Sequence, residues 1–230
     1  MPVYRLSADL TFPPARLAVP EGLLAVGGDL SLPRLRAAYA RGIFPWYSEG
    51  EPILWWSPDP RLVLYPDALN VSRRLERTLR GRRFRITLDR AFGRVIRACA
   101  KTPRAAQDGT WITADMIAAY IALHEAGYAH SVETWRDGRL TGGLYGVSLG
   151  RCFFGESMFH RVSDASTVAL VTLVRQLAAW DFDLVDCQVT TDHLIRLGAR
   201  EIPRRRFLAE LAGSLKHPTR RGVWELDGPV

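Results

Sequence analysis

Leu184-Val185-Asp186-Cys187-Gln188 reads as a strand that is apolar on its approach and then sets a carboxylate and a carboxamide two residues apart. Side chains alternate between the two faces of a strand, so Asp186 and Gln188 emerge together while Cys187 points the other way. Upstream, Phe153-Phe154-Gly155-Glu156-Ser157-Met158-Phe159 is a second apolar strand with a single acid. A buried carboxylate is costly without partners, so two of them in hydrophobic strands suggest a site. The plainer alternative puts both acids at strand ends, solvated or closing a loop.

Working outward, a helix is expected over residues 165–179, and strands over 129–135, 140–149 and 151–158, with turns at Asp137-Gly138 and Leu149-Gly150. Thr113 opens a helix with apolar positions at Met116, Ile117, Tyr120, Ile121 and Leu123, ended by Gly127. Before it, Ser72 caps a basic helix, residues 84–88 form a strand, and Asp89 caps a helix carrying Phe92, Val95, Ile96 and Cys99. A short helix stops at Leu197-Gly198 and a last one covers residues 203–212. The first 66 residues are punctuated by Phe12-Pro13-Pro14, Gly27-Gly28-Asp29, Phe44-Pro45-Trp46-Tyr47 and Trp55-Trp56-Ser57-Pro58-Asp59-Pro60. They suit a small domain of turns and short pieces, with one helix over residues 33–41 between Ser31 and Gly42. Helices before and after an antiparallel meander, then one more strand and helix, make the chain α+β, an α/β sandwich.

At 230 residues, 47% hydrophobic and 24% charged, the chain suits one large domain or a small one docked on a larger one. No apolar run approaches the ~20 residues that span a bilayer, and Met1-Pro2-Val3-Tyr4-Arg5 lacks the apolar core of a signal peptide. Cys99, Cys152 and Cys187 are odd in number and lie in apolar segments, so buried thiols in a reducing cytoplasm are expected. The net charge of +7 comes almost wholly from arginine. Arg73, Arg74, Arg77, Arg80, Arg82, Arg83, Arg85, Arg90, Arg94 and Arg97 crowd one stretch against only Glu76 and Asp89. Arginine grips phosphate with two parallel N–H groups, so this density favours a polyanionic partner over a merely solvated basic face.

Several chemistries can be set aside. His124-Glu125 followed by His130 has the wrong spacing for a His-Glu-x-x-His zinc site, and no other His or Cys pair is spaced as metal ligands. Gly155-Glu156-Ser157 lacks the second glycine of a nucleophile elbow. Cys187 points away from Asp186 and reads as a core thiol. Gly142-Gly143 and Gly146 imply a close backbone approach, by a ligand or at a bulge.

The blocks Glu21-Gly22-Leu23-Leu24-Ala25-Val26-Gly27-Gly28-Asp29-Leu30, Gly42-Ile43-Phe44-Pro45-Trp46, Leu54-Trp55-Trp56-Ser57-Pro58-Asp59-Pro60-Arg61 and Gly109-Thr110-Trp111-Ile112 follow one another in order. So do Gly142-Gly143-Leu144-Tyr145-Gly146-Val147, Phe154-Gly155-Glu156-Ser157-Met158-Phe159, Asp186-Cys187-Gln188, His193, Leu197-Gly198-Ala199 and Glu201-Ile202-Pro203-Arg204. Together they resemble the leucyl/phenylalanyl-tRNA–protein transferase family. The resemblance implies an enzyme that moves Leu or Phe from its tRNA to the α-amino group of proteins beginning with Arg or Lys, marking them for degradation. It also implies a small N-terminal domain, residues 1–66, ahead of a GNAT-like acyltransferase domain, residues 67–230.

Passing an acyl group from an ester to an amine is downhill, so no metal or other cofactor is expected, and no membrane. The catalyst must position two substrates, handle the amine's proton and stabilise an oxyanion. By resemblance, Gln188 holds the attacking amine or the ester, Asp186 polarises that network, and Glu156 helps bind the cationic acceptor. Leu144, Phe153, Met158, Leu170 and Val185 are expected to line an apolar pocket for the donor side chain. Trp46 and Trp111 are expected to flank the terminal adenine, with Tyr39 and Tyr120 nearby. Arg73, Arg77 and Arg80 share one helix face, with Arg74 on its flank and Arg83 beyond. They are expected to hold acceptor-stem phosphates, with Arg73 nearest the reacting end. Three positions depart from the family pattern: His160 and Arg74 stand where Ser is usual, and Thr167 where Lys is usual. A CoA-dependent acetyltransferase is the runner-up, but His160-Arg161-Val162-Ser163-Asp164-Ala165-Ser166 contains no glycine to cradle a pyrophosphate. A non-catalytic RNA-binding module would suit the arginines and leave Asp186, Gln188 and Glu156 without a purpose.

Overall fold

The computed structural model describes residues 3–102 and 110–228, so Met1, Pro2 and Gly109 of the stretches quoted above lie outside it. Two sheets organise the chain. The small one has the order β1-β2-β4-β3, from Tyr4–Leu6, Leu23–Gly27, Leu54–Trp56 and Phe44–Pro45. The large one runs β11-β5-β10-β9-β8-β7-β6. Its members are β5 (Arg61–Leu64), β6 (Arg85–Leu88), β7 (Ala129–Arg136), β8 (Arg139–Leu149), β9 (Cys152–His160), β10 (Leu184–Gln188) and β11 (Arg200–Ile202). The strand β5 lies before residue 66 yet pairs with β10 and β11, so the chain changes sheets between Trp56 and Arg61. The expected α/β sandwich is what forms.

Helices cover both faces of the large sheet. One face carries α5 (Ala165–Ala179) with α2 (Arg73–Arg80), burying Leu75, Leu79, Val168, Leu170 and Val174 against Phe153 and Val185. The other carries α1 (Leu32–Tyr39), α3 (Phe92–Ala100), α4 (Ala114–Glu125) and α7 (Arg204–Ser214) against Tyr145, Val147 and Phe154. The Ser72 and Thr113 side chains cap α2 and α4 as the sequence suggests, accepting from the N–H groups of Leu75 and Met116. Asp89 does not cap α3. Its carboxylate turns inward to accept from the N–H groups of Ser131 and Trp224, and Glu133 accepts from Arg90 and Ala91 at the helix start instead.

Two irregularities shape the site. The parallel strands β9 and β10 pair at Leu184–Cys152, Val185–Phe153 and Asp186–Phe154 and then part. Beyond that point Gly155, Glu156, Ser157 and Met158 are half-buried, although β9 is central in the sheet and its residues 152–154 and Phe159 on either side are buried. In addition, β9 bulges against β8, with Gly155 opposite Gly146 and Ser157 opposite Tyr145. A Cβ on Gly146 would lie 2.2 Å from the Phe154 carbonyl oxygen, so the close approach at this glycine comes from the neighbouring strand. The bulge also reverses the facing of the strand. Phe154 and Met158, four residues apart, pack into opposite cores where a regular strand would put them together.

Candidate active site

Asp186, Gln188 and Glu156 converge where β9 and β10 part. Asp186 is fully buried and takes a two-pronged ion pair from Arg61, with Nε at 2.8 Å from Oδ1 and Nη2 at 2.6 Å from Oδ2. The guanidinium is itself sandwiched by Phe44 and Phe207, whose ring centres lie 4.9 and 4.6 Å away. Asp186 Oδ1 also accepts the backbone N–H of Gln188 at 3.0 Å. That bond holds Gln188 at φ +62°, a left-handed conformation unusual for a residue with a side chain, at a register shift in β10. Thus Asp186 shapes the end of the strand, and Gln188 is turned out of regular extension.

Gln188 Nε2 donates to Glu156 Oε1 at 2.9 Å, which directs the carboxamide oxygen away from Glu156. Glu156 also accepts from the Tyr39 hydroxyl at 2.7 Å and the Tyr120 hydroxyl at 3.1 Å, and these two hydroxyls touch each other. Among the described residues, no cation hydrogen-bonds to it. Burial lifts the Glu156 carboxyl from 4.5 to about 7, although the bonds from Tyr39, Tyr120 and Gln188 pull it down. Burial and the adjacent Glu156 charge push both phenols well above their ordinary range, so they remain neutral donors. A carboxyl near neutrality beside a fixed carboxamide can accept a proton from an amine and orient it. Cys187 lies on the opposite face, and burial pushes its thiol up, as expected of a core residue. Among the described residues, no cluster of three or more His, Cys, Asp or Glu side chains could hold a metal ion. The three cysteines are unbridged, and no described helix is long and apolar enough to cross a membrane.

A family model described as leucyl/phenylalanyl-tRNA protein transferase matches residues 63–212, and one for that family's N-terminal domain matches residues 28–59. The chain belongs to this family. The leucyl/phenylalanyl-tRNA–protein transferase of Anaeromyxobacter sp. (strain Fw109-5) is 61% identical over 227 residues, covering 99% of this chain and 97% of that one. Those of Syntrophobacter fumaroxidans and Myxococcus xanthus are 60% and 58% identical, covering 98% and 97% of this chain, and 96% and 97% of their own. A solved protein of unknown function from Staphylococcus epidermidis aligns at 10% identity with a TM-score of 0.40, covering 79% of this chain and 68% of its own. The sequence relatives alone carry the assignment.

The other expected transferase residues divide into groups. Leu144, Phe153, Leu170 and Val185 are gathered into one buried cluster under α5, and Met158 packs at its half-open edge. This cluster lies across β10 from Asp186. Trp46 and Trp111 are half-buried, and the adjoining segments are joined by the Tyr47 hydroxyl, 3.2 Å from Thr113 Oγ1. Tyr39 and Tyr120, by contrast, are 1% and 0% exposed and spend their hydroxyls on Glu156, so neither offers a ring face to a base. On α2, Arg73, Arg77 and Arg80 are exposed and make no ion pair among the described residues, as is Arg83 beyond it. Arg74 is committed elsewhere: its guanidinium holds both Asp164 oxygens at 2.7 and 2.9 Å, just before α5. Arg61 went unrecognised as a site residue. The signal for it was a cation opening the apolar run Leu62-Val63-Leu64, together with the partner that a buried Asp186 demands.

Proposed function

We propose that this chain transfers Leu or Phe from the terminal ribose of aminoacyl-tRNA to the α-amino group of proteins that begin with Arg or Lys, marking them for degradation. The observation that carries the chemistry is Glu156, a carboxyl brought near neutrality and hydrogen-bonded to Gln188 where two parallel strands open. The acceptor arrives as an ammonium and must lose a proton before it attacks the ester. Glu156 accepts that proton, and the Gln188 carboxamide oxygen accepts an N–H from the same amine and aims its lone pair. Attack forms the C–N bond, and collapse of the tetrahedral oxyanion breaks the ester, the proton shed by the new C–N nitrogen passing to the ribose oxygen, which leaves as its hydroxyl. No redox or nucleotide chemistry is needed. Three cysteines outside any disulfide suit a cytoplasmic location.

The donor side chain is read as entering beside Met158 toward Leu144, Phe153, Leu170 and Val185. Unbranched Met yields easily, and γ-branched Leu or planar Phe fits such a slot better than a β-branched residue. Incubation with charged leucyl-tRNA and an Arg-initiated peptide is expected to add Leu to the peptide, with phenylalanyl-tRNA also serving. Isoleucyl-tRNA is expected to fall roughly 10- to 200-fold behind, the range that one misplaced methyl commands. Equal transfer of Ile would overturn the pocket, and no transfer of Leu the whole reading.

Trp46 and Trp111 supply aromatic faces for the terminal adenine, and Arg73, Arg77 and Arg80 the phosphate track. Such contacts say little about sequence, so the attached amino acid becomes the main determinant of the donor. Replacing Arg77 and Arg80 together by Ala is expected to raise KM for full-length leucyl-tRNA and lower the salt slope of binding by roughly 1–2. Transfer from a minimal leucyl-adenosine donor should hardly change. Equal loss with both donors would make these arginines structural.

A further inference from the structure

His193 belongs to the residue blocks quoted above, yet the reaction as described gives it no task. It sits on α6, Asp192–Arg196, which begins four residues beyond Gln188. Its neighbour Leu194 packs against the same apolar cluster as Met158 and Cys187, so α6 borders the face read above as the donor pocket. The ring is half-buried and feels the charges of Arg196 and of His160, the last residue of β9. The short segment of residues 189–191 joins β10 to α6, so the ring lies close in the chain to the end of β10 that carries Gln188. Its Nε2 is buried and meets no hydrogen-bond partner among the described residues. Fully enclosed His130 shares that feature, but lies stacked on Trp224 deep in the core, where no substrate passes. An enclosed ring nitrogen at the border of a substrate opening is a hydrogen-bonding group left for a ligand.

The surroundings choose among the groups that a ligand brings. Burial, Arg196 and His160 hold the His193 ring below its usual pKa, so it is neutral at pH 7 and presents one N–H and one lone pair. The cationic neighbour Arg196 disfavours the ammonium of the acceptor at this point. An uncharged hydroxyl, able to give and to take a hydrogen bond, meets no such objection. The donor carries one beside the reacting ester. We propose that His193 is a donor-binding residue whose Nε2 hydrogen-bonds the free hydroxyl of the terminal ribose and so fixes the ester against Gln188. This rests on the transfer reaction proposed above.

The test pairs a protein change with a donor change. Leucyl transfer to an Arg-initiated peptide is measured for the wild type, His193→Ala and His193→Gln. Each is given leucyl-tRNA with either an ordinary terminal adenosine or a 2′-deoxyadenosine esterified at its 3′ oxygen. The wild type is expected to lose about tenfold or more in kcat/KM for the deoxy donor, the order of one hydrogen bond to an otherwise unpaired buried group. His193→Ala should lose a similar factor on the ordinary donor and almost nothing further on the deoxy donor, with KM for the peptide unchanged. His193→Gln should recover part of the loss. Losses that multiply, an unaffected His193→Ala, or a wild type indifferent to the deoxy donor would each overturn the proposal. If His193→Ala melts early, the donor comparison in the wild type and His193→Gln decides. Absence of wild-type transfer from the ordinary donor would instead sink the proposed function, a different result.

Discussion

Replacing Arg61 by Met is expected to cost about 3–5 kcal/mol of stability, because it strands the Asp186 carboxylate without a partner in a fully buried position. At this chain length that lowers Tm by roughly 10 °C. Activity should fall further than stability accounts for, since Asp186 also holds the Gln188 N–H and with it the left-handed turn that aims the carboxamide. Replacing both partners, Arg61→Met with Asp186→Leu, should recover much of the stability and none of the transfer, because the apolar pair satisfies the core but releases Gln188. Urea melts of the wild type and the two variants check this. A loss below about 1 kcal/mol in Arg61→Met would mean that water or another group reaches Asp186 and that the ion pair is not what shapes the strand end.

Glu156→Gln is expected to reduce kcat/KM by roughly 10²- to 10³-fold at pH 8, within the range of a lost general base. The pH profile is the sharper reading. With its carboxyl at about 7, wild-type transfer should fall as pH drops through neutrality, because protonated Glu156 cannot take the amine's proton. The Gln variant should lack that limb and keep only the one set by the peptide's own amine. The stability sign is opposite. A carboxyl raised in the folded state stabilises fully below its unfolded value of 4.5, and that contribution fades as pH rises to about 7. Between those pH values the wild type should lose stability relative to Glu156→Gln, by up to about 3 kcal/mol. A variant with the wild-type pH profile would leave Glu156 a structural anchor for Tyr39 and Tyr120.

Both predictions concern groups whose roles differ in legibility. The pattern Leu184-Val185-Asp186-Cys187-Gln188 was readable because strand alternation is local geometry. It placed Asp186 and Gln188 on one face and Cys187 in the opposite core, as found. The helices opened by Ser72 and Thr113, and the long α5, were likewise legible from caps and apolar spacing. Asp89 is an equally favoured capping residue at a similar place, yet it caps nothing, because Ser131 and Trp224 compete for its oxygens. Distant partners of that kind leave no mark in the adjacent sequence.

The sequence by itself determined which chemistry-bearing residues exist, which share a strand or helix face, and to which family the chain belongs. Local rules and ordered motifs carry that information. Tertiary structure alone decided that Arg61, 125 residues before Asp186, neutralises it, and that Tyr39 and Tyr120 serve Glu156 rather than a base. It also decided that Arg74 binds Asp164 instead of remaining free, and that a bulge sends Phe154 and Met158 to opposite faces. Each of these depends on which distant groups meet in a low-dielectric interior. There an unpaired charge or hydroxyl must find a partner, and only the assembled core determines which partner lies within reach.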